Sequence, residues 1–400
     1  MAGGKRRIRR RQVFFLHGFD PRGPAVYRKM YAEEAAKEAA RDGIRIEVGE
    51  RRRTGKRAET WQVEADFGDG AVSTSYTFLR WDDIVAKNWL NTKGAMLLMI
   101  GRYLTAFSRS RFLTVGWKQA TPAFLAIFFP PAVIAAYVLV ALLLVALLTW
   151  LAVLIGLPGW VVLPLAGAVG GGAWFLWDRL ETALNPCWLA RVMGFLTDWA
   201  GGRVKGLEER NRLFAEAFAA ALDDPANDEV LVVGHSIGAH HAVEALIALE
   251  VVRPRALADP RLRFLTLGQC LPLLARLRGA DTFNAALGAL ICDHQVLWVD
   301  VTSPSDPASS CAIDPLSPTP RNRPEEAPVY PFHVSPRFHT LMAVETYKRV
   351  RRDPLLFHFQ YLRSQEQAGP YDYFRLTAGS DPLEPFGDRI EWTVKAGDYR

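Results

Sequence analysis

Hydrophobic residues along most of the chain fall into short runs separated by polar turns. Apolar runs of about four to eight residues between turn residues are typical of buried strands, whereas apolar positions recurring every three to four residues are typical of amphipathic helices. This pattern predicts strands at residues 12–16, 44–48, 60–67, 72–79, 229–233, 262–267 and 295–301. It predicts helices at residues 24–41, 203–222, 238–249, 337–350 and 354–363.

The order of these elements indicates the fold class. The second half of the chain alternates between helix and strand, and such alternation is typical of a parallel sheet whose strands are joined by helical crossovers. Gly68-Asp69-Gly70 between two strands predicts a hairpin. Residues 306–331 are rich in Pro and Ser and are predicted to form a long loop. The chain is therefore expected to form an α/β fold with a mostly parallel sheet flanked by helices.

One long stretch departs from this pattern. Residues 121–177 contain no Asp, Glu, Lys or Arg. A helix needs about 20 apolar residues to cross a bilayer, so the stretch can hold two crossings, predicted at residues 131–155 and 160–177, with Pro130-Pro131 at the entry. Helices in soluble cores normally carry a polar face, and this stretch has none. A transmembrane helical hairpin is therefore favoured over a buried soluble one.

Charge and cysteine content refine this picture. The formal charge is +6, with basic residues concentrated at the N-terminus and just before the apolar stretch. No aromatic-and-basic nucleic-acid motif accompanies them, and attraction to anionic lipid is the simpler interpretation. The positive-inside rule places both flanks of the hairpin in the cytoplasm. The cysteines form no C-x-x-C pair, so no metal site is predicted. The basic residues concerned are Lys5, Arg6, Arg7, Arg9, Arg10, Arg11, Lys93, Arg102, Arg109, Arg111 and Lys118.

The strongest chemical motif is Gly234-His235-Ser236-Ile237-Gly238. A predicted strand precedes it and a predicted helix follows it, which is the setting of a nucleophile elbow. The sharp turn lifts the Ser236 hydroxyl above the sheet edge. Side chains at Gly234 and Gly238 would clash with the neighbouring helix and strand. Ser236 is therefore the candidate nucleophile.

With this motif the chain resembles the α/β-hydrolase superfamily, in its lipase and esterase branch. The resemblance rests on the elbow, on His17-Gly18 after the first strand, and on downstream Asp and His residues. It implies that residues 1–120 and 178–400 form the two parts of one hydrolase domain. Residues 121–177 are then an inserted transmembrane hairpin, which the resemblance does not cover.

The resemblance also implies the remaining site residues. The oxyanion hole is expected from the amides of Ile237 and Phe19, with Gly18 as the alternative to Phe19. The family order of nucleophile, acid and base leaves Asp306 or Asp300 as the acid, with Asp306 preferred. The downstream histidines are His333, His339 and His358. Of these, His358 or His339 is expected to be the base, and His358 is preferred. His235, His240 and His241 are interpreted as packing or helix-surface residues, because the elbow directs the serine away from its own neighbours.

These residues imply hydrolysis of an ester or thioester with an apolar acyl group, without a metal or organic cofactor. The expected partners are the bilayer and a small or lipid-derived acyl substrate, and no nucleic acid; the oligomeric state stays open. Acyl transfer or peptide cleavage on the same residues is one alternative. A catalytically inactive membrane binding or scaffold protein with the same fold is the other.

Overall fold

The computed structural model describes residues 7–110, 121–184, 186–294, 296–316, 330–393 and 395. Its strands are β1 Arg10–Leu16, β2 Arg45–Val48, β3 Arg52–Gly55, β4 Ala58–Asp66, β5 Ala71–Leu79, β6 Glu229–His235, β7 Leu262–Leu267, β8 Trp298–Val301 and β9 Phe332–Val334. Its α-helices are α1 Pro24–Asp42, α2 Asp82–Asn88, α3 Lys93–Ser108, α4 Thr121–Leu154, α5 Gly159–Leu184, α6 Pro186–Ala200, α7 Leu207–Asp223, α8 Gly238–Val252, α9 Leu271–Ala275, α10 Asp281–Gly288, α11 Val344–Arg351, α12 Pro354–His358 and α13 Tyr373–Ala378.

All these strands belong to one sheet in the order β2-β4-β5-β1-β6-β7-β8-β9, with β3 paired to β4. The strands from β5 to β9 in this order run parallel to one another, and β4 runs antiparallel to its neighbours β2, β3 and β5. The predicted mostly parallel sheet flanked by helices is confirmed. Since β1 pairs with β5 on one side and β6 on the other, the sheet joins segments from before and after the apolar stretch.

Both faces of the sheet are covered, which explains why its central strands are apolar at successive positions. Along β1, Val13 and Phe15 enter one core cluster while Phe14 and Leu16 enter the other. This alternation follows from the two-residue repeat of a strand. Helices α3, α6, α7 and α8 contribute to the cluster of Phe14, and helices α1, α12 and α13 to the cluster of Val13.

The predicted hairpin is present as the long helices α4 and α5. Two segments in them, Leu125–Leu154 and Gly159–Trp177, are long and apolar enough to cross a membrane. Their side chains are largely exposed, with Leu142 62% and Phe175 77% accessible, although Ala126, Ile127 and Ile134 near the start of α4 pack into the core. Pro130-Pro131 was expected at the helix entry and instead lies inside α4. Helix α4 begins earlier because the residues before the prolines are also apolar.

Three predicted helices are shorter than expected. The one predicted at 203–222 begins at Leu207, directly after Gly206 with its left-handed φ of 85°. Residues 337–350 were predicted as one helix, but a single 3₁₀ turn at Phe338–Thr340 precedes α11. Arg337 has a φ of 51°, a left-handed conformation that a continuous right-handed helix cannot contain. The helix predicted at 354–363 ends at His358 and is followed by a 3₁₀ turn, Gln360–Leu362.

The N-terminal basic run is largely paired with acids of the same domain. Arg11 is buried against Glu229 at 2.7 Å, and Arg10 contacts Asp224 at 2.9 Å. The Arg11 guanidinium is therefore held inside the fold, whereas the half-exposed Arg10 forms a surface ion pair. Lys5, Arg6, Arg111 and Lys118 of the basic clusters lie outside the described residues, as do Gln295 of the last predicted strand and 317–329 of the predicted loop.

Candidate active site

Ser236 lies on a sharp turn between β6 and α8. Its φ of 56° is left-handed, a conformation that non-glycine residues adopt rarely and at a cost of about 1–3 kcal/mol. The Ser236 amide donates to the carbonyl of Leu267 on the neighbouring strand at 2.9 Å. Ser236 is only 6% exposed. The strand, strained turn and helix expected of a nucleophile elbow are all present.

Three glycines allow the chain to converge at this turn. A Cβ at Gly234 would lie 2.6 Å from the Cα of Ala239 in α8, and a Cβ at Gly238 would lie 2.0 Å from the carbonyl oxygen of Leu16 in β1. A Cβ at Gly18 would lie 2.9 Å from the Cβ of Ser236. The helix, the strand and the loop after β1 are therefore packed directly around the serine.

Asp306 and His358 form a buried hydrogen-bonded pair, each about 1% exposed. The Nδ1 of His358 lies 2.8 Å from Oδ2 of Asp306, and Oδ1 of the same carboxylate accepts the Ala308 amide at 3.0 Å. The carboxylate is thus fixed on both sides and favours the proton on Nδ1. Within the described chain, the Nε2 of His358 has no hydrogen-bond partner. This leaves an imidazole lone pair available for a proton.

Ser236 and His358 line the same cavity of about 290 Å³. This volume is close to the lower end of the range for small-molecule pockets. The preferred nucleophile and base are therefore brought together, and the preferred acid holds the base. We name it the catalytic cavity after its candidate nucleophile and base. The other residues around it are Gly18, Phe19, Asp20, Pro21, Arg22, Trp89, Trp188, Arg191, Val192, His235, Leu355 and Phe359.

The expected oxyanion donors flank the serine. The Phe19 residue lines the cavity, and Ile237 directly follows Ser236. Among the described residues, neither the Phe19 amide nor the Ile237 amide donates a hydrogen bond. The loop of Phe19 is held by Asp20, whose carboxylate accepts from Tyr27 at 3.0 Å and whose amide donates to Gly18 at 2.8 Å. Two amides held in a rigid loop and at a helix start can meet a developing oxyanion.

The alternative acid Asp300 belongs to a different pair. Its carboxylate lies 2.9 Å from Nδ1 of His333 and accepts from Thr266 at 2.7 Å, and Asp300 and His333 are fully buried. The alternative base His339 is exposed, its ring 6.3 Å from that of Tyr347, and it does not line the catalytic cavity. The structure therefore brings neither alternative to Ser236.

The Asp300–His333 pair supports the loop that carries Asp306. The Nε2 of His333 accepts a hydrogen bond from the Ala312 amide at 3.1 Å. The ring proton therefore lies on Nδ1, which faces Asp300. The Gln269 side-chain amide donates to Asp300 at 3.2 Å, and the Gln269 backbone carbonyl accepts a hydrogen bond from the Ser310 amide at 2.8 Å. The pair thus fixes residues 310–312, a few positions after Asp306.

We expect His333→Ala to lower the free energy of unfolding by about 3 kcal/mol, because the buried Asp300 carboxylate loses one of its three hydrogen-bond donors and the missing imidazole leaves a cavity. The midpoint of thermal unfolding in detergent measures this change. His339→Ala removes an exposed imidazole and should leave the midpoint unchanged. Equal midpoints for His333→Ala and the wild type would contradict a stabilising role for the pair.

The three histidines beside the serine are buried rather than on a helix surface, and one of them contacts the candidate base. The Nε2 of His235 lies 3.0 Å from the carbonyl oxygen of His358, and the two rings lie 4.9 Å apart. Burial lowers the pKa of His235 well below its ordinary value, so the ring is neutral and donates its Nε2–H to this carbonyl. His235 therefore fixes the backbone of His358, a role that sequence reasoning missed.

Burial of His240 predicts a loss of stability in acid. Burial lowers the pKa of His240 to about 3, whereas an unfolded histidine titrates near 6.5. The unfolded state therefore binds the proton first, and stability is lost as pH falls from about 6.5 towards 3. At pH 5 this one group should destabilise the fold by about 2 kcal/mol. Thermal unfolding at pH 7.5 and 5 should show a smaller acid shift for His240→Phe than for the wild type.

The matched control for this measurement is His339→Phe, which replaces an exposed histidine. It should keep the full acid shift of the wild type. An unchanged acid shift in His240→Phe would mean that His240 is not a buried neutral group.

One carboxylate cluster lies outside this site. Oxygen atoms of Glu38, Asp42 and Asp372 lie within 4.8 Å of one another. The Arg41 guanidinium contacts all three, and burial raises the pKa of Glu38 to about 8. The Arg41 guanidinium supplies the positive charge that a bound cation would supply, so the cluster is a weak candidate for a metal site.

No family model, curated protein or solved structure matched this chain. Motif reasoning missed the aromatic wall of the cavity, which is formed by Trp89 and Trp188. The Trp188 ring lies 5.8 Å from the His358 ring. These tryptophans lie far from the elbow in sequence, and no local signal indicates their position.

Proposed function

We propose that this chain is a membrane-anchored serine hydrolase of the α/β-hydrolase type that cleaves an ester or thioester through an acyl-enzyme. One observation carries the proposal. His358, which is hydrogen-bonded to the buried Asp306, lines the same cavity as the strained Ser236. A nucleophile, a base and an orienting acid are the groups that acyl transfer requires.

In this mechanism Ser236 attacks the substrate carbonyl while Nε2 of His358 takes the hydroxyl proton. Asp306 stabilises the resulting imidazolium through Nδ1, and the amides of Phe19 and Ile237 hold the oxyanion. His358 then gives its proton to the departing alcohol or thiol, which leaves an ester on Ser236. A water molecule, deprotonated by His358, attacks this ester and releases the acid.

The sheet topology supports the hydrolase assignment. The strand before Ser236 lies in the middle of the parallel strands, directly beside β1. The loop after β1 thereby reaches the elbow, as the second oxyanion donor of this fold class requires. The acid and the base follow in the order Ser236, Asp306, His358, which is also the order of the class.

The exposed apolar hairpin supports membrane anchoring. A contiguous apolar surface of this size is unfavourable in water, and α4 and α5 have the length that a bilayer requires. Because a hairpin returns the chain to the side it left, the catalytic cavity lies on one side of the membrane. The basic approach to the hairpin favours the cytoplasmic side.

A fluorophosphonate probe tests the proposal. The wild-type protein in detergent should be labelled at Ser236, and Ser236→Ala should lose all labelling because its hydroxyl is the attacking group. Ser108→Ala, which changes an exposed serine of α3, is the matched control and should label normally. Folded wild-type protein that is not labelled would favour the inactive scaffold, and labelled Ser236→Ala would assign the nucleophile elsewhere.

A further inference from the structure

A second cavity of about 370 Å³ lies between the hairpin and the rest of the chain. We call it the hairpin cavity. Its volume falls within the range of small-molecule pockets. Helix α3 forms one wall, the two hairpin helices form the opposite wall, and α6 contributes Cys187 and Arg191. Its lining is mostly apolar and includes Met96, Leu97, Ala141, Val145, Trp174 and Trp177.

Helix α6 separates the hairpin cavity from the catalytic cavity. Cys187 and Arg191, four residues apart and hence on one face of the helix, line the hairpin cavity. Trp188 and Val192, on the adjacent face, line the catalytic cavity. Arg191 lines both. The two cavities are therefore neighbours that share Arg191 in their linings.

The chemistry of the walls selects an apolar occupant. Among the described residues, no Asp or Glu lines the hairpin cavity. Most of its polar lining comes from the consecutive residues Asn91, Thr92 and Lys93 at the start of α3, and the Lys93 ammonium lies 3.8 Å from the Trp174 ring centre. Tyr137 is the polar residue along the walls between the described helices, and its hydroxyl already donates to the Ala173 carbonyl. A hydrocarbon chain fits such walls, because its burial needs no hydrogen bonds.

We infer that the hairpin cavity binds the acyl chain of a long-chain ester whose carbonyl lies at Ser236. This inference rests on the proposed hydrolase function and narrows its substrate to long-chain acyl esters. The chain passes Arg191, whose guanidinium stacks on Trp89 at 4.8 Å and donates to the Leu90 carbonyl at 2.7 Å. Because α4 and α5 form the outer wall, a substrate dissolved in the bilayer reaches the cavity without crossing water.

Photo-crosslinking locates the chain without requiring hydrolysis. Ser236→Ala in phosphatidylcholine vesicles is incubated with a hexadecanoyl glycerol ester that carries a diazirine in the middle of its acyl chain. After illumination, crosslinks are expected on the peptides of Met96, Leu97 and Cys187. Crosslinks confined to outward residues of the hairpin, such as Leu143, would overturn the inference.

The outcomes for the site and for the hydrolase proposal are separate. Fluorophosphonate labelling of the wild type together with no crosslink at α3 or α6 would overturn the acyl-chain site and leave the hydrolase proposal standing. The expected crosslink without fluorophosphonate labelling would support the site and contradict the hydrolase proposal.

Cavity-filling variants distinguish a substrate chain from a resident lipid chain. Ala141→Trp and Val145→Trp fill the cavity from α4, and Ala146→Trp adds the same ring on the exposed side of that helix. The first two should lower kcat/KM for a hexadecanoyl ester by at least about tenfold, the scale of a changed hydrophobic pocket, and leave a butanoyl ester unaffected. Ala146→Trp should change neither. Equal losses on both esters would indicate a resident lipid and overturn the substrate assignment. Should either filled variant not fold, the crosslink map decides alone.

Discussion

Asp306→Asn is expected to lower kcat/KM for a butanoyl ester by about 10⁴-fold, the scale of this isosteric change in a serine triad. The Asp306 carboxylate accepts a hydrogen bond at 2.8 Å and so keeps the His358 proton on Nδ1. An asparagine NH₂ in this place donates instead and moves the proton to Nε2. The base then has no lone pair for the Ser236 proton. Initial rates on the ester, per folded molecule by size-exclusion chromatography, measure the loss.

Asp300→Asn is the matched control, because Asp300 carries the same charge in the same segment but binds His333. Its loss of rate should be much smaller than that of Asp306→Asn, while its thermal midpoint should fall more because the carboxylate holds three partners. A normal rate in Asp306→Asn with a lost rate in Asp300→Asn would reverse the two assignments.

The elbow could be predicted from sequence because its determinants are local. A buried strand, two glycines around a serine and a helix occupy consecutive positions, and the structure places them as a strained turn with φ 56° at Ser236. The apolar hairpin could also be predicted from sequence, since the absence of charge over residues 121–177 is a property of composition. The helices it predicts are α4 and α5, although the prolines lie inside α4 rather than at its start.

The choice between acids could not be made from sequence alone. Asp300 and Asp306 lie six positions apart. Asp300 is within β8, and Asp306 is in the loop after it. What separates them is the pairing of β8 with β9, which places His333 opposite Asp300. Strand β9 has three residues, too few for a recognisable alternation pattern. The pairing is a tertiary fact, and it leaves Asp306 to bind His358.

The walls of both cavities were also beyond sequence reasoning. Helix α6 begins directly after the hairpin, and its apolar residues resemble a continuation of it, yet the helix packs against the soluble core. The face of α6 that carries Cys187 lines the hairpin cavity, and the face that carries Trp188 lines the catalytic cavity. This division arises because the hairpin lies on one side of the helix and the loop after β1 on the other.

Gly238→Ala is expected to prevent accumulation of folded protein, through a destabilisation of about 4 kcal/mol or more. The added Cβ would lie 2.0 Å from the Leu16 carbonyl oxygen and 2.6 Å from that of His17. These are backbone atoms of β1 and its loop, so no side-chain rotation relieves the contact. Helix α8 would have to move away from β1, which pairs with the strands on both sides of it.

Gly94→Ala is the matched control for Gly238→Ala, since Gly94 also lies in the first turn of a helix but has no atom within 4 Å of the added Cβ. It should raise stability slightly, because alanine favours helix more than glycine by about 1 kcal/mol. Yield of monodisperse protein and the thermal midpoint measure both variants. A Gly238→Ala protein with a normal midpoint would show that α8 does not pack on β1 this closely. The oxyanion donors would then lie further apart than the mechanism requires, because the same contact sets the distance between the Phe19 loop and the Ile237 amide.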